Sequence, residues 1–169
     1  MIRAALYVDV QRGPYPAMGL DCWGVERDAT TYPGPCPVIA HPPCEAWGRY
    51  AVKARQDRRH LALVAVEQVR RWGGILEHPA HSLLWREARL PWPGELPDAW
   101  GGRSVHVEQG WWGHPAPKPT WLYFVGVELP AFPRERPAAV GRVESMSRSA
   151  RHLTPPAFAL WLAAAKVPR

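Results

Sequence analysis

The chain has 169 residues, of which 47% are hydrophobic and 21% are charged, a balance that excludes a disordered chain and predicts one domain with a sizeable core. Its three cysteines are too few, and odd in number, for a disulfide framework. The net charge of +6 comes mostly from arginine and permits a nucleic-acid partner. No leader pattern and no long uncharged run is visible, so we expect a cytoplasmic protein with no membrane partner.

The amino-terminal part begins with a strand and continues as proline-rich loop. Ile2 to Val8 is apolar and β-prone, and the pattern ends at a Gly-Pro pair. Apart from this strand, we predict residues 1–36 to be largely irregular. A second apolar run, 37–40, is typical of a buried strand that stops at Pro42-Pro43, because proline cannot continue a sheet ladder. Cys44 follows directly, on a stiff loop.

A helix and a third strand come next. Apolar residues recur with helical spacing over 53–72, before a Gly-Gly pair, and this predicts a helix. Residues 75–77 form a short predicted strand closed by a His-Pro pair. A helix between two short buried strands is a βαβ unit with parallel strands. Because the carboxyl ends of such strands line the ligand crevice, we expect Cys44 and Glu77 at the same edge of the sheet.

The rest of the chain supplies two strands, two helices and an arginine-rich loop. In chain order we predict a short helix over 82–89, a strand over 104–109, a strand over 120–127, a basic loop over 130–153 and a carboxyl-terminal helix over 154–167 with Thr154 as its N-cap. The pattern predicts a single α/β domain, 1–169, with its sheet core in 37–129. The expected fold class is a three-layer Rossmann-like sheet, mostly parallel, with long Pro-rich loops.

Cys44, Glu77 and Lys118 are the candidate catalytic residues. A thiolate adds to an electron-poor carbon such as C6 of a pyrimidine ring, and a carboxyl group can protonate or hydrogen-bond the ring nitrogen. A nearby cation such as Lys118 would lower the pKa of the thiol and stabilise the intermediate. Structural roles stay open, since free cysteine is often a small buried residue and a lysine before a strand is often a surface residue.

Four motifs, in order, resemble those of the cytosine-C5 DNA methyltransferases, above all the small divergent forms carried by phages. Pro42-Pro43-Cys44 resembles the family's Pro-Cys nucleophile loop, and Leu76-Glu77-His78-Pro79 resembles its Glu-Asn-Val motif. Residues 112–121 resemble its Gly-x-Pro-x-x-Arg-x-Arg motif, with Lys118 in the first Arg position. Arg151-His152-Leu153-Thr154-Pro155 resembles its late Arg-x-Leu-Thr-Pro motif. The resemblance covers roughly residues 37–165.

The resemblance implies a truncated methyltransferase-like enzyme that modifies cytosine in DNA or a pyrimidine nucleotide, in the host cytoplasm if a phage encodes it. It implies Cys44 as the nucleophile, Glu77 as the proton donor to the ring and Lys118 as the electrostatic partner. The residues expected to bind the substrate are His41, Pro43, Trp47, His78, Trp112, His114 and Arg151. It also implies S-adenosylmethionine, although this chain has Tyr7 to Gly13 where the family has Phe-x-Gly-x-Gly. The candidate cofactor contacts are Asp9, which ends the first strand and is expected to face the same crevice, and Asp21.

Two other interpretations stay open. His41, Cys44, His78 and His81 are zinc-ligand residue types at two neighbouring strand ends, which would suit a zinc-dependent hydrolase. We favour no metal, because zinc-finger spacing and the deaminase pattern are absent and the last two histidines fit a helix-start turn. The missing Gly-rich loop favours a non-catalytic DNA-binding or host-interaction protein on a degenerate methyltransferase scaffold.

Overall fold

The computed structural model describes residues 2–48 and 58–168 of the chain. Within these ranges the strands are β1 (Ala4–Leu6), β2 (Asp21–Trp23), β3 (Val38–Ala40), β4 (Gly74–Pro79), β5 (Arg103–Glu108) and β6 (Pro119–Val125). The α-helices are α1 (Arg59–Trp72), α2 (Leu84–Glu87), α3 (Arg148–His152) and α4 (Pro156–Ala163). None of these helices is long and apolar enough to cross a membrane.

The strands form one six-stranded sheet in the order β2-β1-β3-β4-β6-β5. The first four run parallel to one another, whereas β6 is antiparallel to both β4 and β5. A parallel neighbour needs a crossover connection, and α1 lies between β3 and β4 in the chain for that purpose. The prediction of an α/β chain with a mostly parallel sheet is confirmed, and the arrangement is consistent with a Rossmann-like fold.

The sheet is buried on both faces, which explains why β1 and β3 are continuous apolar runs rather than alternating ones. Successive side chains of each strand point to opposite faces. On one face, Leu76 shares a core with Val69 of α1. On the other face, Ile75 shares a core with Phe158 of α4. We call these the α1 face and the α4 face.

A glycine sets how closely β3 and β4 approach at their amino ends. Gly74 has a φ of 118°, and a Cβ there would lie 2.0 Å from the carbonyl oxygen of Val38. No other residue fits this position without moving one of the two strands. The far ends of the same strands carry the candidate active site, so Gly74 fixes the frame on which that site is built.

The amino-terminal part is more regular than its sequence predicts. β1 confirms the first predicted strand, but β2 is a strand that the sequence analysis does not predict, so residues 1–36 are not simply irregular. Its sequence, Asp-Cys-Trp, has no run of apolar residues, and it pairs only with β1 at the edge of the sheet. Parallel pairing with β1 therefore forms β2, rather than its own propensity.

Two predictions about the carboxyl-terminal part are also wrong in detail. The basic loop 130–153 contains α3, because the Ser147 side chain accepts a hydrogen bond from the Ala150 amide and caps that helix. The last helix begins at Pro156, with Pro155 rather than Thr154 in the cap position. Of the predicted helix 53–72, residues 53–57 lie outside the described residues, and the helix observed there begins at Arg59.

Candidate active site

The register of β3 and β4 brings His41 and Glu77 side by side. Ala40 is paired with Leu76, so the next position of each strand is occupied by His41 and Glu77. Both lie two residues after α4-face residues, Ile39 and Ile75, and therefore point to the α4 face. The prediction that the ends of these two strands, which carry the Cys44 loop and Glu77, meet at one edge of the sheet is confirmed.

The carboxylate of Glu77 accepts one hydrogen bond on each oxygen. The Nδ1–H group of His41 donates to Oε2 over 2.9 Å, and the Nε2–H group of Gln109 donates to Oε1 over 2.9 Å. Gln109 also donates to the Thr120 hydroxyl over 3.1 Å. The Glu77 side chain is only 13% exposed, so these donors replace most of the water that a free carboxylate would bind.

These contacts keep Glu77 ionised. Burial alone would raise the pKa of its carboxyl group, but the hydrogen bond and charge of His41, together with the charge of Lys118, lower that pKa to about 2. Glu77 is therefore an acceptor of hydrogen bonds at neutral pH and holds no proton to donate. The resemblance implies the opposite resting state, a carboxyl group that gives a proton to the ring.

Tyr15 fixes the orientation of the His41 ring. Its hydroxyl lies 2.6 Å from Nε2 of His41, and its side chain is 1% exposed. Burial raises the pKa of Tyr15 well above its ordinary value, so the hydroxyl keeps its proton and stays hydrogen-bonded to Nε2. Nδ1 carries the hydrogen that Glu77 accepts, and the contact with Tyr15 holds the ring in this orientation.

Cys44 lies beyond the two prolines that end β3, at the head of a turn. Its carbonyl accepts a hydrogen bond from the Trp47 amide over 3.0 Å. Burial and the negative charge of Glu77 raise the pKa of the thiol to about 11, against the opposing effect of Lys118. The thiol is close enough to both charges to respond to them, and at neutral pH it stays protonated.

Lys118 lies directly before β6 in a left-handed backbone conformation, with a φ of 47°. This conformation costs a residue with a side chain about 1 kcal/mol. The ammonium group donates to the carbonyl of Leu153 over 2.7 Å, and the Thr120 hydroxyl donates to the Lys118 carbonyl over 3.0 Å. Burial lowers the pKa of Lys118, while the charges of Glu77 and Cys44 act in the opposite direction.

His78 points away from this cluster. It is paired with Trp121, a residue of the α1 face, and is 1% exposed. Neither ring nitrogen has a hydrogen-bond partner among the described residues, and burial lowers the pKa of His78 to about 4 although the Pro43 backbone and Glu77 favour its charged form. It is therefore a neutral ring in the core.

The alternative zinc set is divided between the two faces. His41 and Glu77 are on the α4 face, whereas His78 is on the α1 face and the His81 ring lies 4.7 Å from that of Trp121. No group of three His, Cys, Asp or Glu residues in the described parts of the chain is placed to hold a metal ion. The four candidate ligands are therefore not gathered into one tetrahedral set.

The other predicted substrate contacts lie at different depths. Trp47 is 1% exposed in the α1-face core and has no surface on which a base could stack. Trp112 is half-buried against Phe158 and Trp161 on the α4 face. His114 is 3% exposed, with Nδ1 facing the Ala116 carbonyl. Pro43 and Arg151 are half-buried, on the Cys44 loop and on α3.

Asp9 and Asp21, the predicted cofactor contacts, are occupied by neighbours in sequence. The Asp9 carboxylate accepts the amide hydrogens of Gln11 and Arg12, and these bonds lower its pKa. Asp21 accepts from the Trp23 indole, which lowers its pKa, and forms an ion pair with Arg27. Both are exposed. Neither contacts Cys44, Glu77 or Lys118 in the hydrogen bonds of the described chain.

Three residues of the site are missing from the sequence prediction: Tyr15, Gln109 and Thr120. Tyr15 lies 26 positions before His41, in a proline-rich loop whose sequence gives no sign of burial. Gln109 and Thr120 could have been predicted from the sequence. Each is a polar residue at the connected end of the β5–β6 hairpin, and alternation along the strands puts both on the α4 face with Glu77.

A separate groove has a lining that shares no residue with this cluster. It has a volume of about 420 Å³ and runs between α1 and residues 30–32, lined by Leu63, Gln68, Arg71 and Trp72 among others. Cys44, Glu77 and Lys118 are not part of its lining. We place the candidate site at the sheet edge because reactive and charged groups converge there, whereas the groove has an ordinary amphipathic lining.

Comparison with models of known protein families finds no match to this chain. Comparison with curated protein sequences finds none either.

Proposed function

We propose that the protein is a base-modifying enzyme that acts on a pyrimidine, in DNA or as a nucleotide, with Cys44 as its nucleophile. The observation that carries this proposal is the placement of a thiol, an ionised carboxylate and an ammonium group at one edge of the sheet. The Cys44 loop follows β3, which pairs with β4 beside Glu77, and the charges of Glu77 and Lys118 both act on the pKa of the Cys44 thiol. Perturbed titratable groups at a strand end are characteristic of catalytic sites.

The roles follow from the charges. Cys44 attacks C6 of the ring, Glu77 binds the ring edge, and Lys118 stabilises the negative charge that develops during the attack. Because the thiol rests in its protonated form, substrate binding has to bring a change that favours the thiolate, such as exclusion of water or partial neutralisation of Glu77.

The finer fold that we propose is a three-layer, methyltransferase-like sheet. It is supported by α1 and α4 on opposite faces and by the Pro-Pro-Cys loop directly after β3. β1 and β2 precede β3, where the family usually has three strands.

S-adenosylmethionine, which the resemblance implies, does not fit the residues present between β1 and β2. A Gly-rich loop leading into a helix is the ordinary cradle for such a cofactor. Here β1 is followed by a turn in which a Cβ at Gly13 would lie 2.5 Å from the Asp9 carbonyl oxygen, and then by a 3-10 helix, Pro16–Met18. We therefore derive no methyl-transfer step and leave the donated group open.

Trapping with a 5-fluoropyrimidine tests the proposal. Oligonucleotides and nucleotides that carry 5-fluorocytosine or 5-fluorouracil are incubated with the protein, with and without S-adenosylmethionine, and adducts are detected by intact-mass spectrometry. We expect one adduct per chain, its loss in Cys44→Ser and its persistence in Cys36→Ser. If the wild-type protein forms no adduct with any of these probes, Cys44 is not the nucleophile.

The second candidate function is a non-catalytic DNA-binding or host-interaction protein on the same scaffold. It is favoured by the protonated Cys44 thiol and by the locally occupied Asp9 and Asp21. Such a protein would bind DNA with an affinity that falls steeply with salt and that Cys44→Ser leaves unchanged. Fluorescence anisotropy at several salt concentrations, read together with the trapping result, separates the two functions.

A further inference from the structure

The hydrogen bonds of Glu77 determine which edge of a base it can accept. Each oxygen already faces an N–H group that belongs to the protein, His41 on one side and Gln109 on the other. The orientation of the His41 ring is in turn held by Tyr15. An amide N–H can only donate, and a carboxylate with two such neighbours and a lysine nearby offers lone pairs and no hydrogen.

We propose that this site takes a uracil-type pyrimidine, with a hydrogen on ring nitrogen N3 and an oxygen at C4, in preference to cytosine. This inference rests on the proposed function, since it specifies the substrate of the same site. It departs from the resemblance, which implies cytosine.

The ring edges of the two bases differ in the group that Glu77 would meet. In uracil, N3 carries a hydrogen that can be donated to a remaining lone pair of the carboxylate. In cytosine, N3 has a lone pair of its own, which would face the carboxylate without a proton between them. An unpaired acceptor in a buried site costs more than a missing bond in water, so discrimination by this one atom can be large.

Lys118 supports the same choice at the neighbouring ring position. An ammonium group has three hydrogens, and one of them is used by the Leu153 carbonyl. Those remaining can be donated to O4 of uracil but not to the amino group at C4 of cytosine, which is itself a donor. Glu77 accepts and Lys118 donates, which is complementary to uracil, where N3–H donates and O4 accepts.

The covalent step balances without an external reagent. The thiol of Cys44 loses its proton to solvent, its sulfur forms a bond to C6, and the C5=C6 π bond breaks. The electron pair moves through C5 and C4 onto O4 as an enolate beside Lys118, and a solvent proton then adds to C5. The net result is addition of the S–H group across the double bond, and reversal exchanges the C5 hydrogen with solvent.

Exchange of the C5 hydrogen in deuterium oxide tests the inference without any cofactor. Matched single-stranded oligonucleotides with one deoxyuridine or one deoxycytidine, and the two mononucleotides, are incubated with the protein, and deuterium at C5 is measured by NMR. We expect exchange at least tenfold faster for uracil, none with Cys44→Ser, and a reduced or reversed preference with Glu77→Gln, whose amide can donate to N3 of cytosine. Circular dichroism checks that each variant is folded.

The outcomes separate the inference from the proposed function. Equal or faster exchange on cytosine overturns the uracil preference and leaves Cys44 as a nucleophile. No exchange on either base overturns both. If Glu77→Gln does not fold, the ratio of the two rates for the wild-type protein still decides which base the site takes.

Discussion

The carboxylates of the segment 9–28 and the carboxylate of Glu77 on β4 are held in opposite ways. In the segment 9–28, Asp9, Asp21 and Asp28 are exposed, and their partners lie between two and six positions away in sequence. Glu77 is 13% exposed, and its partners lie 36 and 32 positions away. Local turns satisfy the first group, whereas only the assembled fold satisfies the second.

This difference distinguishes the candidate site from loops whose carboxylates have only a local structural role. A carboxylate that caps its own turn contributes to local structure and would do so in a short peptide. A buried carboxylate costs free energy unless several elements supply donors to it, and such an arrangement is characteristic of function. The ends of β3 and β4 thus carry a buried site to which several elements contribute, whereas the carboxylates of the segment 9–28 belong to local turns.

The largest effect is expected when the distant carboxylate is removed. Glu77→Ala should lower the rate of C5 exchange by at least 100-fold, because the ring edge loses its acceptor and His41 loses its partner. Asp28→Asn, in the locally satisfied segment, should leave the rate within twofold. NMR exchange assays on both variants check this, and an equal loss in both would remove the distinction between the two regions.

The thiols should also differ. With a pKa of about 11, Cys44 should react with iodoacetamide at pH 8 roughly 100-fold more slowly than an ordinary cysteine, because its thiolate fraction is that much smaller. Glu77→Gln removes the neighbouring negative charge and should accelerate the reaction. Peptide mapping by mass spectrometry resolves Cys44 from Cys22 and Cys36. Rapid labelling of Cys44 in the wild-type protein would contradict the buried, protonated thiol.

Stability should fall with acidity in two steps. His78 has a folded pKa of about 4, below its ordinary 6.5, so the unfolded chain binds its proton first and stability is lost as the pH falls from about 6.5 to 4. Glu77 has a folded pKa of about 2 against 4.5, so its contribution is present above 4.5 and is lost as the pH falls towards 2. Each step is of the order of 3 kcal/mol.

Urea unfolding between pH 7 and pH 2 measures both steps. His78→Asn should flatten the upper step and leave the lower one, whatever its effect on stability at pH 7. If the slope between pH 6.5 and pH 4 is the same in this variant and in the wild-type protein, His78 is not the residue responsible.

A smaller effect is expected from two tyrosine hydroxyl groups. Tyr15→Phe leaves Nε2 of His41, whose side chain is 11% exposed, without its hydrogen-bond partner and should cost about 1–2 kcal/mol of unfolding free energy. Tyr32→Phe is the matched control. Its hydroxyl donates to the carbonyl of Cys36, a half-buried residue to which water has access, so we expect the smaller loss. Denaturant curves at pH 7 rank the two, and a reversed order would contradict the role of Tyr15.

The smallest effect should come from the ion pair of Arg27 and Asp21. Their side chains are 52% and 48% exposed, and exposed pairs contribute little because water and salt screen them. Arg27→Met should change the unfolding free energy by no more than about 0.5 kcal/mol. A change above 1 kcal/mol in the same denaturant assay would mean that this segment is more than a set of local turns.

The sequence predicts the fold better than it predicts the site. Strands such as β3 and β6 follow from apolar runs, and the meeting of the Cys44 loop with Glu77 follows from the rules of parallel sheets. β2 does not, since its pairing with β1 comes from the tertiary structure. Tyr15 does not either, because contact with His41 depends on how a proline-rich loop folds back over the α4 face.

Protonation states were also beyond the sequence. Glu77 has the residue type of a proton donor, and only its two N–H neighbours and Lys118 show that it rests as an acceptor. The motif resemblance aligns His78 with an Asn of the methyltransferases, and only the strand register shows that it points into the opposite core. Residue type and order are linear information, whereas donor and acceptor roles depend on three-dimensional neighbours.

The Tyr15–His41 hydrogen bond has a consequence for local unfolding. The amide hydrogens of Met18 and Leu20 are bonded to the Tyr15 carbonyl, so this part of the connection cannot open without moving the tyrosine. Native-state hydrogen exchange should therefore show these amides opening together with the end of β3 as one cooperative unit. A protease that cuts this connection would then release the His41 ring, and the geometry of the candidate site and the protease resistance of the amino-terminal segment would be lost in the same event.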